Sequence, residues 1–237
     1  MNAPFIQRVS FDWDEIPSSN YLRHIPAFQG LESLDFHSPV TFFVGENGSG
    51  KSTLLEAIAI EHGFNPEGGS KNYKFSTYDT HSELCRAITL SKGCIREKWG
   101  YFLRAESFYN VATQEIKYSD PMHPANYHNQ SHGESFLSMA QSNLLPGGLY
   151  LFDEPEAALS PQRQLTLLLE IYECAQEGAQ FLIVTHSPIL LGLPGAEIYC
   201  FDSGRVHLCS YEETESYQIT KMFVNNRQAF LKRLLEE

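Results

Sequence analysis

Three short stretches of this chain carry residue types whose spacing suits phosphate chemistry. The first, VGENGSGKST at 44–53, fits G-x-x-x-x-G-K-[ST] through Gly45, Gly50, Lys51 and Ser52. Its glycines let the backbone curl so that several N–H groups face one phosphate, and the following helix adds a positive dipole end. Lys51 would reach the β- and γ-phosphates, and the Ser52 hydroxyl would bind Mg²⁺. The candidate nucleotide-binding residues are therefore Gly45, Asn47, Gly48, Ser49, Gly50, Lys51, Ser52 and Thr53. The second stretch, LYLFDEPEAAL at 149–159, sets Asp153 and Glu154 at the end of an apolar run. In phosphoryl transfer one carboxylate holds the metal and another polarises the attacking water. The third, FLIVTHSP at 181–188, ends a similar run in His186, whose imidazole could bond a γ-phosphate oxygen, the water or Glu154. Plainer readings are a helix-capping aspartate beside a solvated glutamate, and a surface histidine. The order of the three stretches favours the chemical one.

Those residues need strands and helices to present them. ESLDF and VTFFVG are two short β-rich runs separated by HSP, and STLLEAIAIEHG has helical apolar spacing that stops at Gly63. CRAITLS and WGYFLRAE read as strands, and SFYNVATQEI and GESFLSMAQSNL as helices. LYLFDEP and QFLIVTHS are buried strands. PQRQLTLLLEIYECAQEG is a helix with Pro161 at its start and Gly178 at its end. AEIYCFDSGRVHLCSY reads as a hairpin turning at DSG, and TESYQITKMFVNNRQAFLKRLLEE as one helix. FNPEGGSKN and KYSDPMHPANYHNQ are loops. Strands alternating with helices around one sheet imply α/β architecture.

A polar stretch, NQSHGES at 129–135, precedes the Asp-Glu strand. SHGE is a capping box: Ser131 caps the amide three residues on, and Glu134 reaches back to the Ser131 N–H. With Gly133 beside it, such a helix start is also an anion site.

Composition bounds the rest. The 237 residues are 42% hydrophobic, 13% aromatic and 19% charged, which suits one large folded domain over 1–237. No basic start followed by an apolar run marks a signal peptide. FLIVTHSPILLGLPGA is too interrupted to span a membrane, so the expected location is cytoplasmic. Five cysteines without a C-x-x-C pair read as reduced thiols, and the scattered histidines suggest no structural metal site. Net charge is −12, yet residues 71–104 hold seven basic against three acidic side chains. That segment is a candidate nucleic-acid contact, or simply a solvated face.

The blocks FFVGENGSGKSTLLEAIA, SHGES, LYLFDEPEAALSPQRQ and FLIVTHSPIL together resemble the ABC-type ATPase heads. They look most like small soluble bacterial ABC- or AAA-type ATPases related to RecF and SMC heads. The resemblance implies a P-loop NTPase fold with a mixed, largely parallel core sheet and an N-terminal antiparallel β portion. A small helical signature lobe, roughly 64–145, would be inserted between the P-loop helix and the Asp-Glu strand. It also implies a homodimer in which two heads sandwich two ATPs, with Mg²⁺, each ATP capped by the other protomer's signature. That signature would be Ser131, Gly133 and Glu134. His132 stands where the family has glycine, and Ser160 where the D-loop has aspartate. No glutamine ends YFLRAES; Glu106 is the Q-loop candidate, with Arg104 and Ser107 beside it. An adenine-stacking aromatic upstream of the P-loop would be Tyr21, Phe28 or Phe36. The gap between Lys51 and Ser131 has no room for a long coiled coil. The resulting expectation is an ATPase in which Glu154 and His186 are catalytic and Ser52 and Asp153 hold the metal. It would drive a conformational switch in DNA repair or phage defence. The competing reading is the nucleotide-binding subunit of an ABC transporter.

Overall fold

A computed structural model of the chain describes residues 4–70, 82–104, 137–138 and 141–235. Its strands fall into two sheets. The larger has seven strands in the order β10-β9-β3-β8-β7-β6-β4. These are β3 (Val40–Val44), β4 (Gly69–Ser70), β6 (Trp99–Arg104), β7 (Gly148–Asp153), β8 (Gln180–Val184), β9 (Glu197–Cys200) and β10 (His207–Leu208). The five inner strands, from β9 to β6, run parallel, and the edge strands β10 and β4 are antiparallel to their neighbours. The smaller sheet is antiparallel, with β1 (Ile6–Phe11) between β2 (Ser33–Asp35) and β5 (Ile88–Lys92).

Helices cover both faces of the parallel strands, which explains why the central ones carry near-continuous apolar runs rather than alternating. All of β3, β7 and β8 is buried. Phe43, Leu149, Leu151 and Leu182 point to one face, where helix α1 (Lys51–His62) and the small sheet complete the core. Phe42, Val44, Tyr150, Phe152, Phe181 and Ile183 point to the other, against helix α2 (Pro161–Gln176). The two helices differ accordingly. α2 buries Leu167, Ile171, Cys174 and Ala175, a single stripe. α1 lies between the two sheets and buries residues all round, from Lys51 and Leu54 to His62.

The structure adds to the sequence reading at two places and corrects it at a third. IQRVSF forms β1, although it does not alternate: the pairing slips between Ile6 and Arg8, so the buried residues are Ile6 and Val9, three apart. ESLDF and VTFFVG each hold a strand, in different sheets: β2 belongs to the small sheet and β3 to the centre of the large one. The C-terminal helix is two, α3 (Glu215–Asn225) and α4 (Arg227–Leu235), divided at Asn226, whose side chain favours helix ends over helix interiors. Of the stretch 64–145, β4, β5 and β6 are strands of the two sheets. The helix expected at 107–116 lies outside the described residues.

Candidate active site

Because the five inner strands run the same way, their carboxyl ends meet along one edge of the sheet. That edge gathers the loop after β3, Arg104, Asp153, His186 just past β8, and Asp202 just past β9. Ligands of open α/β sheets sit in this position.

The 45–50 loop can only be built around glycine at two points. Gly45 has φ +141°, and a Cβ there would lie 2.9 Å from Asp202 Oδ1 and 3.2 Å from Ser49 Oγ. Gly50 has φ +99°, and a Cβ there would meet the Phe28 ring at 2.8 Å. Asp202 also braces the loop, accepting the Glu46 N–H through Oδ1 at 2.8 Å. Lys51 is buried, and its Nζ donates to the carbonyls of Gly45 and Glu46, each at 2.7 Å. Burial pulls its ammonium below the ordinary value, while Asp202, Glu154 and Asp153 oppose that shift. The Ser52 hydroxyl donates to Asp153 Oδ1 at 2.8 Å. Arg104, opposite Asp153 in register, donates to Glu56 Oε2 at 2.8 Å and holds its Nε 3.8 Å from Asp153 Oδ2.

Glu154 leaves β7 in the left-handed region, φ +50° and ψ 53°. For a long side chain that conformation costs on the order of 1–2 kcal/mol, and it is held by the Glu154 N–H donating to the Val184 carbonyl at 2.9 Å. The turn aims Glu154 toward His186, whose Nε2 lies 3.9 Å from Glu154 Oε1. Both side chains, with Glu46 and Asn47 of the loop, line one open cleft. Behind them, the His186 N–H donates to the carboxylate of Glu156 at 2.6 Å, and the Ser187 hydroxyl donates to Gln164 Oε1 at 2.6 Å. Burial pushes the Glu156 carboxyl above its usual value.

The structure therefore brings together the 45–53 loop, Asp153, Glu154 and His186. Ser131, His132, Gly133, Glu134, Glu106 and Ser107 lie outside the described residues. Of the three candidate aromatics, Phe28 and Phe36 are each only 2% exposed and belong to the core, whereas Tyr21 is 59% exposed. Tyr21 opens the turn that carries Ile25, whose side chain would lie 3.2 Å from a Cβ at Gly50. Asp202, Glu156 and Glu56 were not singled out from sequence as parts of this edge, and Arg104 was named only as an alternative to Glu106. Asp202 had the signal already used for His186: a polar residue directly after a buried apolar run.

Two families match parts of the chain. Residues 134–192 match the one described as "AAA domain, putative AbiEii toxin, Type IV TA system", and residues 21–84 match an AAA domain. Together they take in α1 with its glycine loop, and the Asp-Glu and His186 strands. The chain is a P-loop ATPase of the ABC/AAA kind. Related sequences include the glutamine transport ATP-binding protein GlnQ of Escherichia coli (strain K12). It is 23% identical over 215 residues, covering 81% of this chain and 89% of GlnQ. The hemin import ATP-binding protein HmuV of Pseudomonas aeruginosa is 26% identical over 193 residues, covering 72% and 75%. Among solved structures, the SMC head domain from Thermotoga maritima aligns with a TM-score of 0.46 at 15% identity, covering 86% of this chain and 98% of the head. No helix among the described residues of this ATPase is long and apolar enough to cross a membrane.

Proposed function

We propose that the chain is one Mg²⁺-dependent ATPase head that closes on a second copy around two ATPs and opens again after hydrolysis to ADP and phosphate. One observation carries the catalytic part: Glu154 and His186 share a cleft with the 46–47 segment of the P-loop. In this reading the P-loop N–H groups and Lys51 bind the phosphates, and Lys51 exchanges the Gly45 and Glu46 carbonyls for phosphate oxygens. Glu154 polarises the attacking water. His186, its Nε2 free of hydrogen bonds within the described chain, bonds a γ-phosphate oxygen. Ser52 and Asp153 would hold Mg²⁺. Their hydroxyl and carboxylate oxygens are donors of the kind that ion takes. No cluster of three His, Cys, Asp or Glu side chains among the described residues offers a metal site without the nucleotide. When bound, the ion neutralises charge on the phosphates.

The dimer rests on the resemblance of the 131–134 signature. Its test is the mass of Glu154→Gln in solution with ATP and Mg²⁺. The trapped variant should run as a dimer that reverts to monomer when ATP is removed; a monomer at saturating ATP would contradict it. The process driven is read as a switch acting on nucleic acid in repair or defence. Lys92, Arg96 and Lys98 support it, exposed beside Ile95 and Trp99 at the amino end of β6, on the edge away from the cleft. The names of the two transport relatives favour the second reading, an ATP-binding subunit serving separate membrane proteins.

A further inference from the structure

Glu156 is a buried carboxyl that none of the roles above uses. It sits in the 3₁₀ turn Pro155–Ala158, two residues past Glu154, on the exit from β7. Its partner is thirty residues away on the exit from β8, where the His186 backbone N–H donates to Glu156 Oε1 at 2.6 Å. One strand turn is thus clasped to the next by a side chain. A carboxyl placed where burial raises its pKa is a costly way to satisfy one backbone N–H. The structure also shows what the clasp governs. The His186 ring has no hydrogen bond to the described chain at Nε2, so its place over the cleft depends on the backbone that carries it. That ring must stand close to Glu154, itself fixed by a bond from its N–H to Val184 in the same pair of strands.

We propose that Glu156 is a positioning residue for ATP hydrolysis, clasping the His186 turn to the Glu154 turn so that both side chains face the same phosphate. The inference rests on the reading of His186 as a γ-phosphate contact. Among the described residues Glu156 has no hydrogen bond to the P-loop, so the clasp acts on turnover and leaves ATP binding alone.

The test compares Glu156→Gln, which keeps an acceptor oxygen of the same reach, with Glu156→Met, which has similar length and no such acceptor. Each is measured alone, and the Met change also with His186→Ala. Steady-state kcat and KM for ATP are read with Mg²⁺ present, and thermal midpoints confirm that each variant is folded. If the Met variant does not fold, Glu156→Ala takes its place. The Met variant should lose about 10- to 100-fold in kcat, the scale of a small misplacement of a reacting group, with KM within about threefold. The Gln variant should recover kcat to within about threefold of the natural protein. Added to His186→Ala, the Met change should cost nothing more, because the group it positions is gone. The clasp is overturned if Met turns over normally, if Gln falls as far as Met, if the loss appears in KM, or if the two changes multiply. His186→Ala turning over at the natural rate would instead overturn the reading of His186; a slow His186→Ala beside a normal Met variant would overturn the clasp alone.

Discussion

Glu154 concentrates the strain of this edge in a single residue. A glutamate before proline has no intrinsic reason to adopt φ +50°, and the backbone holds it there only because the Val184 carbonyl takes its N–H. Strain of this kind predicts opposite effects on stability and activity. Glu154→Gly should leave unfolding free energy unchanged or raise it by up to about 1 kcal/mol, since glycine adopts this conformation freely. Hydrolysis should fall with it. Chemical denaturation decides: a loss of more than about 1 kcal/mol would show that the side chain, not the strain, dominates. At this scale much was legible. Asp153 and His186 each end a run of apolar residues, and the P-loop spacing locates Lys51 and Ser52. Asp202 follows the same rule after IYCF, but it also fits a hairpin turn, and the turn reading hid it. Glu156 had no signal, because its partner is a backbone N–H thirty positions away.

At the scale of elements, the buried strands and α2 were readable because their apolar patterns are continuous or helically spaced. β1 was not, since its slipped pairing puts the buried residues three apart, and neither was the break at Asn226 in an otherwise helical run. The joint between the two sheets was equally invisible. Gln180, buried at the start of β8, accepts the Ile6 N–H at 2.9 Å and donates to the Ile6 carbonyl at 2.8 Å. One amide thereby satisfies both backbone groups of a residue that β1 leaves facing the large sheet. Gln180→Leu strands both groups, at about 1–3 kcal/mol each when buried. The urea midpoint should drop by the equivalent of about 2–6 kcal/mol. A change below about 1 kcal/mol would mean that water replaces the amide.

Over the whole molecule, charge and site lie at opposite ends of the parallel strands. The cleft is at their carboxyl ends, and the exposed cluster of Lys92, Arg96 and Lys98 is at the amino end of β6, in a chain of net charge −12. If that cluster meets nucleic acid, the triple reversal Lys92→Glu, Arg96→Glu and Lys98→Glu should abolish salt-sensitive DNA binding. Basal ATPase activity should be unchanged. Binding that survives the reversal would place the contact elsewhere. A partner at this end would be linked to the nucleotide through the strands and α1, which runs from the P-loop to His62, bonded to Glu97 in the same connection at 2.9 Å.

The central claim is that Glu154 serves the water and not the nucleotide. Single-turnover hydrolysis of ATP by Glu154→Gln, with ATP affinity measured on the same preparation, tests it most directly. The account predicts a rate lower by about 10²- to 10⁴-fold, as for loss of a general base, with affinity within about threefold of the natural protein. Hydrolysis at the natural rate, or loss of ATP binding along with it, would contradict it.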